Sequence, residues 1–351
     1  MSYLKYARYL VSKRKALPIH LILEVTSACN ARCVHCFNWR KTDFETERRL
    51  SLDQLDRLSS SLGDLLWFSL TGGEPFLRND LDEVIRIFER NRPQYLTIPT
   101  NGLLPSRIEE MTGRMLEHHH RSLVIVVSID GVGELHDRIR GVPGNFEKCL
   151  QTFRRLEALA VTRRNLHLGV NTTVTNLNED RVGEIADFVK KNLKVESHTF
   201  ELVRGCTRDS SVIPPGLESY ARSKDVFQSI MRSYPYYRTN PFSRFLRAAK
   251  LYYHDLGYQT MARKVQVIPC YAGRLSAVVD VQGQVFPCEL YRKLGSLADF
   301  DFDFRKLWFS RPAEEVRREI RDGACYCAHS CFQFVNILFN PRVYPRLARY
   351  L

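Results

Sequence analysis

No stretch of this 351-residue sequence holds the roughly 18 uninterrupted apolar residues that a membrane-spanning helix needs. The N-terminus is basic but lacks the apolar core and cleavage site of a secretory signal, so a cytoplasmic chain is expected. Internal repeats and low-complexity tracts are missing too, and the length suits one large domain plus a smaller module. With no export signal, the ten cysteines do not read as a disulfide framework; reduced, metal-binding thiols are expected.

Three of those cysteines, Cys29, Cys33 and Cys36, lie in Cys-Asn-Ala-Arg-Cys-Val-His-Cys directly after an apolar segment. Spacings of three and two residues let one tight loop direct three thiolates at one point, which suits three irons of a cubane cluster and leaves a fourth iron without a protein ligand. Zinc is the competing reading. Structural zinc sites are closed and four-coordinate, usually built from two separated cysteine pairs, and the only further candidate here is His35, whose position between Cys33 and Cys36 directs its ring away from them.

Around this loop the sequence alternates strand-like and helix-like segments. Leu21 to Val25 reads as a buried strand that delivers the cysteines at its carboxyl end, and Trp67 to Leu70 as a second strand ending in Thr71-Gly72-Gly73-Glu74-Pro75. The glycines there would let backbone approach a ligand, Glu74 could pair with an ammonium group, and Pro75 would stiffen the turn. Four further strands are expected: Tyr95 to Ile98 before Asn101, Leu123 to Val127 before Ser128 and Asp130, Leu166 to Val174 carrying Asn171, and His198 to Val203 carrying Glu201. Such polar residues are also turn formers, but their repeated placement at strand ends matches the active-site face of a β/α barrel. Helical periodicity covers Ser51 to Leu62, Leu81 to Asn91, Ser106 to His118, Phe146 to Ala160 and Glu179 to Asn192, with a capping box at Ser51 and Asn178 as the cap of the last. The alternation implies a parallel sheet with right-handed crossovers.

Taken together, the Cys-x3-Cys-x2-Cys loop and the Gly-Gly-Glu-Pro turn resemble the radical S-adenosylmethionine (SAM) superfamily over roughly residues 20 to 205. The resemblance implies an α/β fold, a partial (β/α)6 TIM-like barrel, in which Cys29, Cys33 and Cys36 hold a 4Fe-4S cluster whose open iron chelates SAM. An electron from that cluster would cleave SAM to a 5'-deoxyadenosyl radical that abstracts hydrogen from substrate, while the protein binds, orients and excludes competing reactions. Gly72, Gly73 and Glu74 would contact the methionine amino group, aided by Pro75, Asn101, Ser128, Asp130 and Asn171. Asp130, Asn171 and Glu201 are the catalytic candidates. An external electron donor such as flavodoxin or ferredoxin is implied.

A second cysteine group follows at Cys270, Cys288, Cys325, Cys327 and Cys331. Cys270 and Cys288 enclose a hairpin turning at Gln282-Gly283, and the arrangement resembles the SPASM and twitch modules that hold auxiliary 4Fe-4S clusters. Five cysteines cannot ligate two complete clusters, so a small α+β, twitch-like module with one auxiliary cluster is expected, held by Cys270, Cys288, Cys331 and either Cys325 or Cys327. Zinc remains the alternative, and His329 is not expected to be a ligand. Cys149 reads as a buried small residue and Cys206 as a loop residue. The expected boundaries are a basic N-terminal segment over 1–18, the barrel over 19–204, a helical connector over 205–263, and the module with a basic tail over 264–351.

Three functions are compatible with these motifs: radical SAM chemistry on a small or carrier-linked substrate, the same chemistry on a peptide, and an iron-sulfur electron carrier that does not cleave SAM. Peptide-modifying relatives often carry a leader-binding winged-helix domain before the barrel, and only about twenty residues precede the first strand here, so peptide maturation by this chain alone is less expected than the first reading but stays open. His118-His119-His120 reads as a solvated helix end, because consecutive helical side chains diverge. Residues 1–18 and 332–351 contain no acid and mix lysine or arginine with aromatic and aliphatic residues. Such ends suit either an anionic membrane surface, at roughly 1 kcal/mol per charge, or packing on the barrel with the charges in water. Nucleic acid is not an expected partner, since no recognised binding module accompanies the charge.

Overall fold

The computed structural model describes residues 3–11, 16–44, 49–234 and 241–351. Six parallel strands follow one another, β1 (His20–Thr26), β2 (Trp67–Gly72), β3 (Tyr95–Thr100), β4 (Ser122–Ser128), β5 (Leu166–Val174) and β6 (Ser197–Leu202), and each pairs with its predecessor. The helices are α1 (Arg8–Val11), α2 (Trp39–Phe44), α3 (Leu52–Ser61), α4 (Leu81–Phe88), α5 (Pro105–His118), α6 (Glu134–Arg140), α7 (Asn145–Thr162), α8 (Val182–Asn192), α9 (Leu217–Ser233), α10 (Pro241–Arg263), α11 (Phe304–Trp308), α12 (Arg311–Arg321), α13 (Ser330–Leu338) and α14 (Tyr344–Leu347).

The capping box forms: Gln54 N donates to Ser51 Oγ at 3.2 Å and Ser51 N to Gln54 Oε1 at 2.9 Å, which starts α3 at Leu52. Asn178 does not cap α8. Its side-chain amide instead donates to the carbonyls of Asp130 at 2.8 Å and Thr173 at 2.9 Å, and its oxygen accepts from Thr175 N, so it staples two strand ends together.

The C-terminal hairpin forms where expected, β7 (Ser276–Val279) and β8 (Gln284–Phe286) turning at Gly283, which takes a φ of +76°. It does not stand apart. β7 lies parallel to β1, with His20 opposite Ser276, and with β9 (Gly295–Ser296) it extends one nine-stranded sheet in the order β6-β5-β4-β3-β2-β1-β7-β8-β9. β1, flanked on both sides, is buried along its whole length.

Alternation along β3, β4 and β6 separates two faces. Leu96, Ile98, Leu123, Ile125 and Val127 are buried under the helices, where Phe68 stacks on Phe88 at 4.6 Å and Trp308 and Phe304 of the C-terminal part join the same core. The opposite residues, Tyr95, Thr97, Val124 and Val126 among them, are half-buried and face a lumen. The barrel is therefore open inside rather than filled by its own side chains.

Both chain ends pack on this body. Tyr6 and Tyr9 are buried against Leu275, Val335 and Phe339, while Lys13, Arg14 and Lys15 lie outside the described residues. The histidine run departs from its expectation: His119 is fully buried, its imidazole held by Glu89 and by the carbonyl of Ser122, because the chain turns inward there to enter β4. Among the described residues no helix is long and apolar enough to cross a membrane.

Candidate active site

The loop after β1 is fastened from three sides. Arg32 N and Val34 N donate to the carbonyls of Arg140 and Ile139 at 3.1 and 3.0 Å, Arg208 Nη1 to Cys33 O at 2.9 Å, and Gly73 N and Glu74 N to Thr26 O and Ala28 O at 2.8 Å each. The two glycines at the end of β2 serve this docking. A Cβ at Gly72 would lie 2.2 Å from Thr26 O, and one at Gly73 2.0 Å from Ala28 O, so what approaches so closely is the backbone leading into the cysteine loop. Gly73→Ala is expected to push that loop away, cost roughly 1–3 kcal/mol and lower the iron held at Cys29, Cys33 and Cys36, as read by denaturation and iron analysis.

All three thiols face the lumen, a cavity of about 890 Å³. Burial pushes the Cys29 thiol up to about 12 and Cys36 to about 11, so both stay protonated until a metal displaces the proton. Among the described residues no group of three His, Cys, Asp or Glu side chains converges on a single ion. A sulfur-only donor set spread along a loop fits a polynuclear cluster, which brings its own metal spacing. His35 is turned to Asp130, its Nε2 3.7 Å from Oδ2.

Glu74 is buried at the lumen wall, and its carboxylate is oriented by the chain itself, accepting from Thr100 Oγ1 and Asn101 N at 2.8 Å and from Phe76 N at 3.3 Å. Burial pushes its carboxyl up to about 7, against the pull of those donors. Gly72, Gly73, Asn101, Ser128, Asn171 and Glu201 also line the lumen. Pro75 does not; it opens a short 3-10 turn behind Glu74. Asp130, expected to face cofactor or substrate, is likewise set back. Its carboxylate is fully buried, 2.7 Å from Arg140 Nε, and accepts from Thr173 N at 2.7 Å.

Arg140, at the end of α6, escaped the sequence reading. Its guanidinium lines the lumen with Nη1 3.8 Å from Cys33 Sγ, held charged by Asp130 even though burial opposes that charge. The available signal was the pair Gly133 and Gly141 bracketing seven residues, Gly141 closing α6 with a φ of +66°.

Of the second cysteine group, Cys331 reaches the lumen, whereas Cys270, Cys288, Cys325 and Cys327 lie outside it. Burial raises the Cys270 and Cys331 thiols to about 12. Cys270 and Cys288 are raised further by Cys325 and Cys327, while Cys331 responds to Glu201, Glu289 and Arg204. Between the two cysteine groups runs a half-buried polar chain that sequence spacing did not reveal. Arg204 donates to Glu201 at 3.1 Å and to Glu289 at 3.0 Å; Glu201 accepts from Ser330, and Glu289 pairs with His329. The Arg204 guanidinium also lies 4.8 Å from the centre of the Phe37 ring. Phe37, Glu289 and Ser330 are the sequence neighbours of Cys36, Cys288 and Cys331.

Residues 23–189 match the family model of the radical SAM superfamily. That segment, a little under half of the chain, is a radical SAM domain. This radical SAM chain is 28% identical over 318 residues to the AdoMet-dependent heme synthase of Methanosarcina barkeri, covering 85% of itself and 83% of that protein. It is 25% identical over 301 residues to the antilisterial bacteriocin subtilosin biosynthesis protein AlbA of Bacillus subtilis, covering 84% of itself and 60% of AlbA. Its fold resembles Streptococcus suis SuiB bound to S-adenosylmethionine, with a TM-score of 0.59 at 17% identity over 90% of this chain and 72% of SuiB. Radical SAM proteins are enzymes that use a 4Fe-4S cluster and SAM, which sets aside a pure electron carrier.

Proposed function

We propose that this enzyme cleaves SAM reductively and abstracts hydrogen from a small or carrier-linked substrate bound in the lumen. The observation that carries the reading is that Cys29, Cys33, Cys36 and Cys331 all open onto one cavity. When bound, the cluster on Cys29, Cys33 and Cys36 supplies the electron that breaks the S–C5' bond and yields the hydrogen-abstracting 5'-deoxyadenosyl radical. Glu74, pre-oriented by Thr100 and Asn101, receives the ammonium of SAM. Arg140 offsets the negative charge of the thiolates beside it, and Ser128 and Asn171 complete the polar rim. Cys270, Cys288, Cys331 and one of Cys325 and Cys327 would hold an auxiliary cluster in a twitch-like module, and an external donor such as flavodoxin or ferredoxin would supply electrons. Similarity to the heme synthase over most of both chains supports a small-molecule substrate. Peptide maturation is the second reading, favoured by the similarity to AlbA.

The test is anaerobic incubation of iron-loaded protein with reductant and SAM. Formation of 5'-deoxyadenosine is expected, and its absence from fully loaded protein would sink the proposal. A second expected result concerns pH. Because the Glu74 carboxyl titrates at about 7, SAM binding should weaken about tenfold for each unit below that value and level off above it. Glu74→Gln should flatten the profile and weaken binding at pH 8, as read by equilibrium titration with SAM.

A further inference from the structure

The two acid-free, basic ends of the chain meet at one end of the lumen. Tyr6 and Leu10 line it from the N-terminal side and Phe334, Leu338 and Phe339 from the C-terminal side. Tyr9 seats its ring edge-on against Phe339 at 6.4 Å. On these two terminal segments Arg8, Arg342, Arg346 and Arg349 are exposed. Two aliphatic side chains of the same segments are left in solvent, Val11 at 90% exposure and Leu351 at 52%. From this end the lumen follows the strands toward the cysteine loop, roughly 20 Å for the six residues of β3 at the usual rise.

The walls along that path are mostly apolar, Ile22, Pro99, Val124, Val126 and Leu168 among them, with His20, Ser69, Thr97 and His167 interspersed. Of the cations that reach the lumen, Arg140 is matched by Asp130 and Arg204 by Glu201 and Glu289, and Lys250 reaches it from α10. The exposed charges of the two chain ends beside it are cationic apart from the pair of Lys5 with Asp64. Basic residues mixed with exposed aliphatic ones are the composition of an interfacial membrane contact.

We propose that this end of the lumen is docked on an anionic membrane and admits the aliphatic chain of a membrane lipid, an acyl or prenyl chain, which is the substrate. The inference rests on reading the lumen as the substrate site.

The test uses the iron-loaded full chain. It should float with phosphatidylglycerol vesicles and not with phosphatidylcholine vesicles at low salt, and 16-doxylstearate should give an immobilised nitroxide spectrum in its presence. Val124 on β4 and Leu246 on α10 both line the lumen, so Val124→Phe and Leu246→Phe should each narrow it; whichever keeps the parental circular dichroism should release the probe. Arg342→Glu with Arg349→Glu should abolish flotation and keep probe binding. A mobile spectrum with the parent protein, or immobilisation undiminished in a folded lumen variant, overturns the proposal. So does probe binding without flotation, which assigns the chain to a soluble fatty acid. Production of 5'-deoxyadenosine is measured in parallel. If it persists while chain binding fails, the lipid inference alone falls; if it fails as well, the functional reading falls with it.

Discussion

A chain in which Cys29, Cys33 and Cys36 are all replaced by alanine is expected to lose SAM cleavage entirely and to keep about half its iron, close to four atoms per chain against about eight for the parent. The expectation follows from geometry. Cys29, Cys33 and Cys36 share the loop after β1, whereas Cys270, Cys288, Cys325, Cys327 and Cys331 lie on C-terminal segments, of which only Cys331 reaches the lumen that the first three share with Glu74 and Asn101. Iron and sulfide analysis with low-temperature electron paramagnetic resonance would read the outcome. Zinc in either site, or loss of all iron from the folded variant, would contradict two independent clusters.

Removing the guanidinium of Arg204 is expected to have the largest effect on stability. Burial by itself raises the Glu289 carboxyl, yet Arg204 and the hydrogen bond from His329 outweigh it and hold that carboxyl at about 2. Arg204→Met would leave Glu201 and Glu289 without their cation; all three are half-buried and border the lumen, so a loss of about 2–3 kcal/mol is expected, below the cost of breaking a fully buried pair. Arg204→Lys should recover part of it, limited because one ammonium cannot reach both carboxylates with the fork of a guanidinium. The sign with pH is fixed by the lowered carboxyl. The stabilisation is complete above the ordinary glutamate value of 4.5 and is lost as the pH falls toward 2, so parent and variant should converge in acid. Denaturant titration at pH 7 and pH 3 would check both points, and a difference under about 1 kcal/mol at pH 7 would mean that the carboxylates are already satisfied without the arginine.

The elements were legible where periodicity and local chemistry agree. β1 to β6, the capping box of α3 and the hairpin at Gly283 depend on neighbours in sequence, and each stands where its residues indicate. Boundaries shifted by a residue or two at α5 and α7, where Pro105 and Asn145 enter the first turn. What escaped detection depends on pairs distant in sequence. Asp130 looked like an active-site acid because it follows β4, but Arg140 lies ten positions on, in a helix too short to show a period, and takes its charge. His119 looked solvated because its run is polar, yet Glu89 lies close enough to bury it. Gly72 and Gly73 looked like a ligand cradle, and their first duty is to let β2 end against the cysteine loop. The chain joining Glu201, Arg204, Glu289 and Ser330 brings together residues up to 129 positions apart, which no spacing rule encodes.

The pairing of β7 with β1 also sets an order of events during synthesis. His20 and Ser276 are 256 positions apart, so one edge of β1 stays unpaired until most of the chain has left the ribosome. Strand edges of that kind are hazards for association with other chains, and contacts of such long range form late. The same order means that the cysteine loop, which β1 carries at its end, emerges well before Cys270, Cys288, Cys325, Cys327 and Cys331. Three thiols at the end of β1 are thus laid down while the second cysteine group has yet to be made.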